Sequence, residues 1–230
     1  MLLSSIGSSD SLVQLLIELI MRLPAVILAI SFHEAAHGYI AYKCGDPTAK
    51  MMGRVTMNPA AHFDLIGTLS MLLAGFGWAK PVVVNSRNFK HVRLDSALVA
   101  LAGPMANFIM AFIAALVYRF VLTFVEFSGA AGQLVGIAAN MVFQIVLMNI
   151  SLMIFNLIPI PPLDGSKVLF SFLPAKAYNF ILKYERYGFL ILFVVIMVGI
   201  LDIPISMAMS WVLGILFNMA HWIFSVFGLF

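Results

Sequence analysis

The chain has 230 residues, of which 63% are hydrophobic and only 10% charged, with a mean hydropathy of +1.05. A soluble domain of this length has too much surface to carry so few charges, so composition excludes an ordinary water-soluble globule. The formal charge of +3 supplies no argument for a nucleic-acid partner; the single cysteine, Cys44, excludes an internal disulfide and makes a thiolate zinc site unusual.

The first residues, MLLSSIGSSDSLVQLL, lack the basic region and small-residue cleavage pattern of a secretory signal peptide. About 20 apolar residues cross the hydrocarbon core of a bilayer, and four or five segments reach or approach that length. Residues 12–42 come first, punctuated by Pro24, and form either one long broken helix or an interfacial piece followed by a span. Residues 53–59 (GRVTMNP) and 79–86 (AKPVVVNS) are β-branched and bounded by turn formers, so they predict short strands at the membrane surface, with Pro81 on an edge. Irregular loop is the alternative there. Between them, residues 65–76 are apolar but too short to span, which suits a re-entrant or interfacial segment. Spans follow at 94–124, 134–158, 187–201 (marginal unless it begins near Tyr178) and 203–227, with a tight turn expected at Asp202-Ile203-Pro204. The expected fold is an all-α polytopic membrane protein: about five membrane helices, a small surface β hairpin or sheet, and a re-entrant segment. It reads as one domain over 1–230, with its core at 24–166 and C-terminal helices in 178–230.

Basic residues set the orientation. Seven of the 13 lysines and arginines lie between Lys43 and Arg93 and four between Lys167 and Arg186, while Arg22 and Arg119 sit near the other side. The positive-inside rule puts both basic loops in the cytoplasm and predicts an N-out, C-in bundle.

Residues 33–37 read HEAAH inside the first apolar run. Ionisable groups within a span are costly and need a common explanation. On a helix His33 and His37 lie one turn apart on one face, flanked by Glu34. This H-E-x-x-H spacing lets two imidazoles bind zinc while the glutamate handles the protons of an attacking water. Two buried histidines satisfied by carbonyls are the alternative. A zinc hydrolase needs a third protein ligand. His62, His91 and His221 lie outside the expected helices or near a terminus, and Asp64 and Asp95 sit beside loops. Asp164 stands in FNLIPIPPLDGS, where Pro159, Pro161 and Pro162 unwind the end of a span and Gly165 permits a turn directly after the carboxylate. An ordinary helix exit with a capping aspartate is the competing reading. Topology favours the ligand: the first span and the 134–158 span run in the same direction, so HEAAH and Asp164 reach the same leaflet at similar depth. The set closes as His33, His37 and Asp164 around one Zn2+, with Glu34 as the base.

HEAAH together with N-x-x-P-x-P-P-L-D-G at 156–165 resembles the site-2 protease family of intramembrane zinc metalloproteases, and Gly103-Pro104 with Asn107 resembles its G-P-x-x-N element. The likeness spans most of 29–166 and is strongest to short bacterial members that have neither a PDZ-like insert between the motifs nor a CBS-like module after the last helix. It implies structural motif positions at Gly103, Pro104, Pro159 and Gly165, and a multi-pass protein of the bacterial cytoplasmic membrane. The implied partners are the lipid bilayer and a transmembrane substrate, cut toward the cytoplasmic side. A helical substrate hides its peptide bonds, so an edge strand around Val82, Val83 and Val84 is expected to hold it extended by main-chain pairing. Asn107 and Asn156 have donors suited to orienting substrate or an oxyanion, or else to interhelical hydrogen bonding. Asn140, Gln144 and Asn149 read as packing contacts, although Asn149 lies two turns before Asn156 on a similar face. The competing functions are a cation transporter that uses the His/Asp site, and an inactive relative that binds transmembrane helices without cutting them. Polar groups gathered at one depth, with no ladder of acids across the membrane, argue against the transporter.

Overall fold

The computed structural model describes residues 9–74, 79–125, 128–174 and 185–228, and among them every regular element is helical. In chain order these are α1 (Ser9–Lys43), the single turn α2 (Thr48–Met51), α3 (Leu65–Ala74), α4 (Val92–Phe124), α5 (Gly129–Asn156), α6 (Asp164–Ser171), α7 (Gly188–Val198) and α8 (Asp202–Val226). Pro24 does not split the first segment, because α1 runs through it as one helix of 35 residues. α4 likewise contains Pro104.

α1, α4 and α5 pack against one another, and α6 and α8 lean on α4. Small residues permit this closeness. On α1 the buried face descends through Val26, Ala29, Ile30, His33, His37 and Ala41. It meets Val99, Gly103 and Asn107 on α4. In lipid, where no hydrophobic drive joins helices, such small-residue faces let backbones approach. Further along, Ala111, Ala114 and Ala115 of α4 pack with Val146 and Ile150 of α5 and Leu216 of α8. The opposite face of α4 exposes Met105, Ile109, Ile113, Val117 and Phe120 at helical spacing. An apolar stripe of that length on an outer face suits lipid and not water.

Among the described residues, four helices are long and apolar enough to cross a membrane: Ile17–Lys43, Val92–Phe124, Ala131–Asn156 and Asp202–Val226. The expected span at 187–201 is realised as α7, whose 11 residues rise about 16 Å at ~1.5 Å each, half a hydrocarbon core. Residues 175–184, from which that span would have to start, lie outside the described residues. The turn expected at Asp202-Ile203-Pro204 falls three residues earlier. Gly199 takes the left-handed conformation (φ 74°) that closes α7, and Asp202, Ile203 and Pro204 form the first turn of α8. A proline is tolerated there because the first N–H groups of a helix have no intrahelical partner.

The expected β hairpin is replaced by irregular chain. Residues 79–85 are extended yet make no ladder, because their N–H groups go elsewhere: Lys80 donates to the His62 carbonyl (2.9 Å), Val82 to Glu34 Oε2 (2.8 Å) and Asn85 to Asp46 Oδ2 (2.7 Å). Around residues 53–59, side chains also compete with strand pairing. Thr56 Oγ1 accepts from Asn58 N, and Asn58 Oδ1 accepts from Ala60 N to open a 3-10 turn at Pro59–Ala61. Of the apolar segment expected at 65–76, residues 65–74 form the helix α3, and residues 75 and 76 lie outside the described residues. Met71 of α3 packs on Val26 and Ile30 of α1.

Candidate metal centre

Three elements deliver the polar groups. α1 carries His33, Glu34 and His37; α4 lies across the two imidazoles; and the turn before α6 brings in Asp164. After α5 ends at Asn156, residues 157–163 form consecutive turns closed by Leu163 N to the Ile160 carbonyl (3.0 Å) and by Ser166 N and Oγ to the Leu163 carbonyl (3.1 and 2.7 Å). Gly165 is required at this bend. A Cβ there would overlap the Leu157 carbonyl and stand 2.7 Å from the Ile158 oxygen. The exposed Pro159 lies within the same turn. Asp164 therefore opens α6 with its side chain directed at α1, and the cap position before it is held by Leu163.

His33 Nε2, His37 Nε2 and Asp164 Oδ2 converge: the nitrogens are 3.0 Å apart, and the oxygen is 3.2 and 3.1 Å from them. All three residues are buried, with 5%, 8% and 7% of their surface exposed. His37 Nδ1 lies 2.6 Å from the Val99 carbonyl. A carbonyl only accepts, so Nδ1 carries the proton and Nε2 presents a lone pair. That lone pair and the Asp164 carboxylate are then two buried acceptors 3.1 Å apart, an arrangement that calls for a cation between them. A tetrahedral zinc with bonds of about 2.0–2.1 Å separates its ligand atoms by about 3.3 Å, so the observed spacing fits the ion. If protons occupy the gap instead, burial raises the Asp164 carboxyl, but hydrogen bonds from His33 and His37 hold it well below the usual carboxylate range.

The rings lie against α4 where it lacks a side chain. A Cβ on Gly103 would clash with His37 Nε2 and stand 2.6 Å from His33 Cε1. Pro104, beside it, is fully buried. One turn on, Asn107 is completely buried and bonds to His33 Nδ1 (2.6 Å), the Ala29 carbonyl and Asn149. Its amide is spent on protein partners, and it does not line the cavity. Asn149, read from sequence as a packing contact, belongs to this cluster.

A cavity of about 810 Å³ opens onto the three ligands. Glu34, Val82, Val84, Met71, Phe155 and Asn156 are among its walls. Val83 is exposed and faces away, the alternation expected of extended chain. Asn156 donates Nδ2 to the Leu152 carbonyl (3.0 Å) while lining the cavity. Asp46, also missed, clasps the extended segment. Its carboxylate accepts from Thr48 N and Oγ1, Asn88 Nδ2 and Asn85 N. Burial works against its charge, but those bonds hold its carboxyl below the usual range. The only sequence signal for it is Gly-Asp-Pro-Thr directly after a helix end.

The other candidate ligands stand apart. Asp64 Oδ1 accepts from Gly67 N at the start of α3, Asp95 Oδ2 accepts from His91 N at the start of α4, and His62 Nε2 pairs with the Thr56 carbonyl. Among the described residues, His33, His37 and Asp164 are the one group arranged to hold a metal ion.

Comparison with known proteins points the same way. The model of "Peptidase family M50" matches residues 22–200, a range that contains every residue of this centre. "Putative zinc metalloprotease YwhC" of Bacillus subtilis is 41% identical over 172 residues, covering 74% of this chain and 76% of its own. "Putative zinc metalloprotease Rip2" of Mycolicibacterium smegmatis is 25% identical over 207 residues, 88% of this chain and 72% of its own. "Putative zinc metalloprotease MJ0611" of Methanocaldococcus jannaschii is 30% identical over 152 residues, 65% of this chain and 69% of its own. No solved structure matches.

Proposed function

The chain belongs to peptidase family M50, the site-2 protease family, and we propose that His33, His37 and Asp164 hold its zinc while Glu34 carries the proton. As a member of that family it is an integral membrane protein and a zinc-dependent intramembrane protease whose substrate is embedded in the bilayer. The observation that carries the assignment of residues is the buried triangle of Nε2, Nε2 and Oδ2 atoms 3.0–3.2 Å apart.

Zinc supplies Lewis acidity there, polarising a scissile carbonyl and lowering the pKa of a water toward about 7. The protein's own groups do the rest. Glu34 lies beside the ligands in the cavity wall, accepts the water's proton and later delivers it to the leaving amine. The Val82 N–H steadies Glu34 Oε2 at 2.8 Å and fixes which carboxylate oxygen faces the cavity. The substrate unwinds along the extended segment 79–86, with Val82 and Val84 on the cavity side, and the Asn156 amide orients its backbone. α3 dips into the leaflet beside the cavity mouth. The whole chain works as one membrane-embedded unit in a bacterial cytoplasmic membrane, N-out and C-in, with cleavage toward the cytoplasmic side, where the basic loops lie.

The test is reconstitution of the purified chain with a single-span substrate, comparing wild type with Glu34→Gln. Zinc-dependent cleavage that disappears in Glu34→Gln supports the reading. Cleavage unchanged in Glu34→Gln, or metal flux without cleavage, overturns it. Proline substitution at Val83 or Val84, which leaves the Val82 N–H on Glu34, tests the substrate segment separately: undiminished cleavage removes it from the mechanism.

A further inference from the structure

We propose that Asn149 and Asn107 form a one-way hydrogen-bond relay that sets the tautomer and ring orientation of His33, and that both are positioning residues of the metal centre. The proposal deepens the assignment of His33 as a ligand and rests on it. The direction of the relay follows from its far end. Asn149 Nδ2 is 2.8 Å from the Ile145 carbonyl, which only accepts, so the amide's NH2 points there and its oxygen points at Asn107. That oxygen takes a hydrogen from Asn107 Nδ2 at 2.8 Å, and the second hydrogen of the same NH2 goes to the Ala29 carbonyl at 3.0 Å. Both of Asn107's donors are thereby committed, and its oxygen is left facing His33 Nδ1 at 2.6 Å. The imidazole must carry its proton on Nδ1, and Nε2 must present its lone pair to the centre.

His37 gains the same tautomer from one backbone carbonyl, that of Val99. His33 has a side-chain amide at that position, and an amide can turn over. Asn107 flipped would offer NH2 to Nδ1 and push the proton to Nε2, where it would block the metal. Asn149, completely buried and 42 residues away in sequence, opposes that option together with the Ala29 carbonyl, because a flipped amide would turn its oxygen onto two acceptors. The grip on Ala29, one turn before His33, also sets α1 against α4, so ring position and ring protonation come from one residue. Partners of this kind behind metal-binding histidines typically matter by 10- to 100-fold in affinity.

The experiment is a zinc dissociation constant for the full chain in detergent, by chelator competition, with the Co2+ absorption spectrum recorded alongside. Asn107→Leu removes the acceptor and is expected to weaken zinc about 10- to 100-fold with a shifted Co2+ spectrum. Asn107→Asp keeps an oxygen facing Nδ1 and is expected to recover most of the affinity and the native spectrum. Asn149→Leu, which touches no ligand, keeps the test independent of any folding failure at position 107, and it is expected to weaken zinc about tenfold by leaving the orientation of Asn107 to the Ala29 carbonyl alone. Wild-type affinity in Asn149→Leu, or Asn107→Asp as impaired as Asn107→Leu, overturns the relay. His33→Ala separates the two levels: if it binds zinc like wild type, the ligand assignment itself falls.

Discussion

Gly103→Ala adds one methyl group at the point where α4 passes the two imidazoles. Its carbon would stand 2.6 Å from His33 Cε1 and 2.7 Å from His33 Nε2, and closer still to His37 Nε2. Carbon contacts settle at about 3.5–4.0 Å, so the rings must retreat by about 1 Å. Neither is free to do so, because each is held from behind by a 2.6 Å bond at Nδ1, His33 to Asn107 and His37 to the Val99 carbonyl. Metal sites tolerate ligand errors of only about ±0.2 Å. The zinc dissociation constant is therefore expected to rise at least about 100-fold, or about 2.7 kcal/mol. Alanine favours a helix over glycine by about 1 kcal/mol, so α4 itself should not suffer. Chelator competition measures the affinity, and circular dichroism with thermal melting checks the fold. Zinc affinity within threefold of wild type in a folded Gly103→Ala would refute the packing of the rings against this glycine.

Three other perturbations address separate parts of the account. Gly165→Ala drives a methyl group into the Leu157 carbonyl, which as backbone cannot yield, so Asp164 shifts and zinc affinity falls about tenfold or more, read by the same competition. Val82→Pro removes the N–H that holds Glu34 Oε2; zinc content should stay at wild-type level while kcat drops about tenfold, and an unchanged kcat would count against that bond. The Asp46 carboxyl lies below its unfolded value of about 3.9, so its stabilisation is complete above that pH and is lost as pH falls toward the folded value. Asp46→Asn should therefore melt lower than wild type at pH 7, with the gap closing below about pH 4; a gap that widens in acid contradicts the anchoring role.

The metal centre was legible because its information is local. H-E-x-x-H places two candidate ligands on one helix face by period alone, and the prolines with Gly165 announce an unwound turn carrying Asp164. Pairing these motifs rested on the parity of the spans, and the structure does bring His33, His37 and Asp164 together. The extended segment was not legible as unpaired chain. Its partners, the carboxylates of Glu34 and Asp46, lie 48 and 39 residues away from the N–H groups they accept, and β-branched composition cannot foretell them. Asn149 was missed for a related reason: an asparagine in an apolar helix reads as a packing contact until the residue opposite is known. α7 shows the limit of hydropathy, since an almost wholly apolar run became a helix of 11 residues closed by Gly199.

The most direct measurement is zinc K-edge absorption fine structure on the wild-type chain and on His37→Ala. Two imidazole nitrogens and a carboxylate oxygen are expected at about 2.0–2.1 Å in wild type, with one imidazole lost in His37→Ala. A wild-type spectrum with fewer than two imidazoles, or one unaltered in His37→Ala, would contradict the assignment of His33, His37 and Asp164 as the ligands.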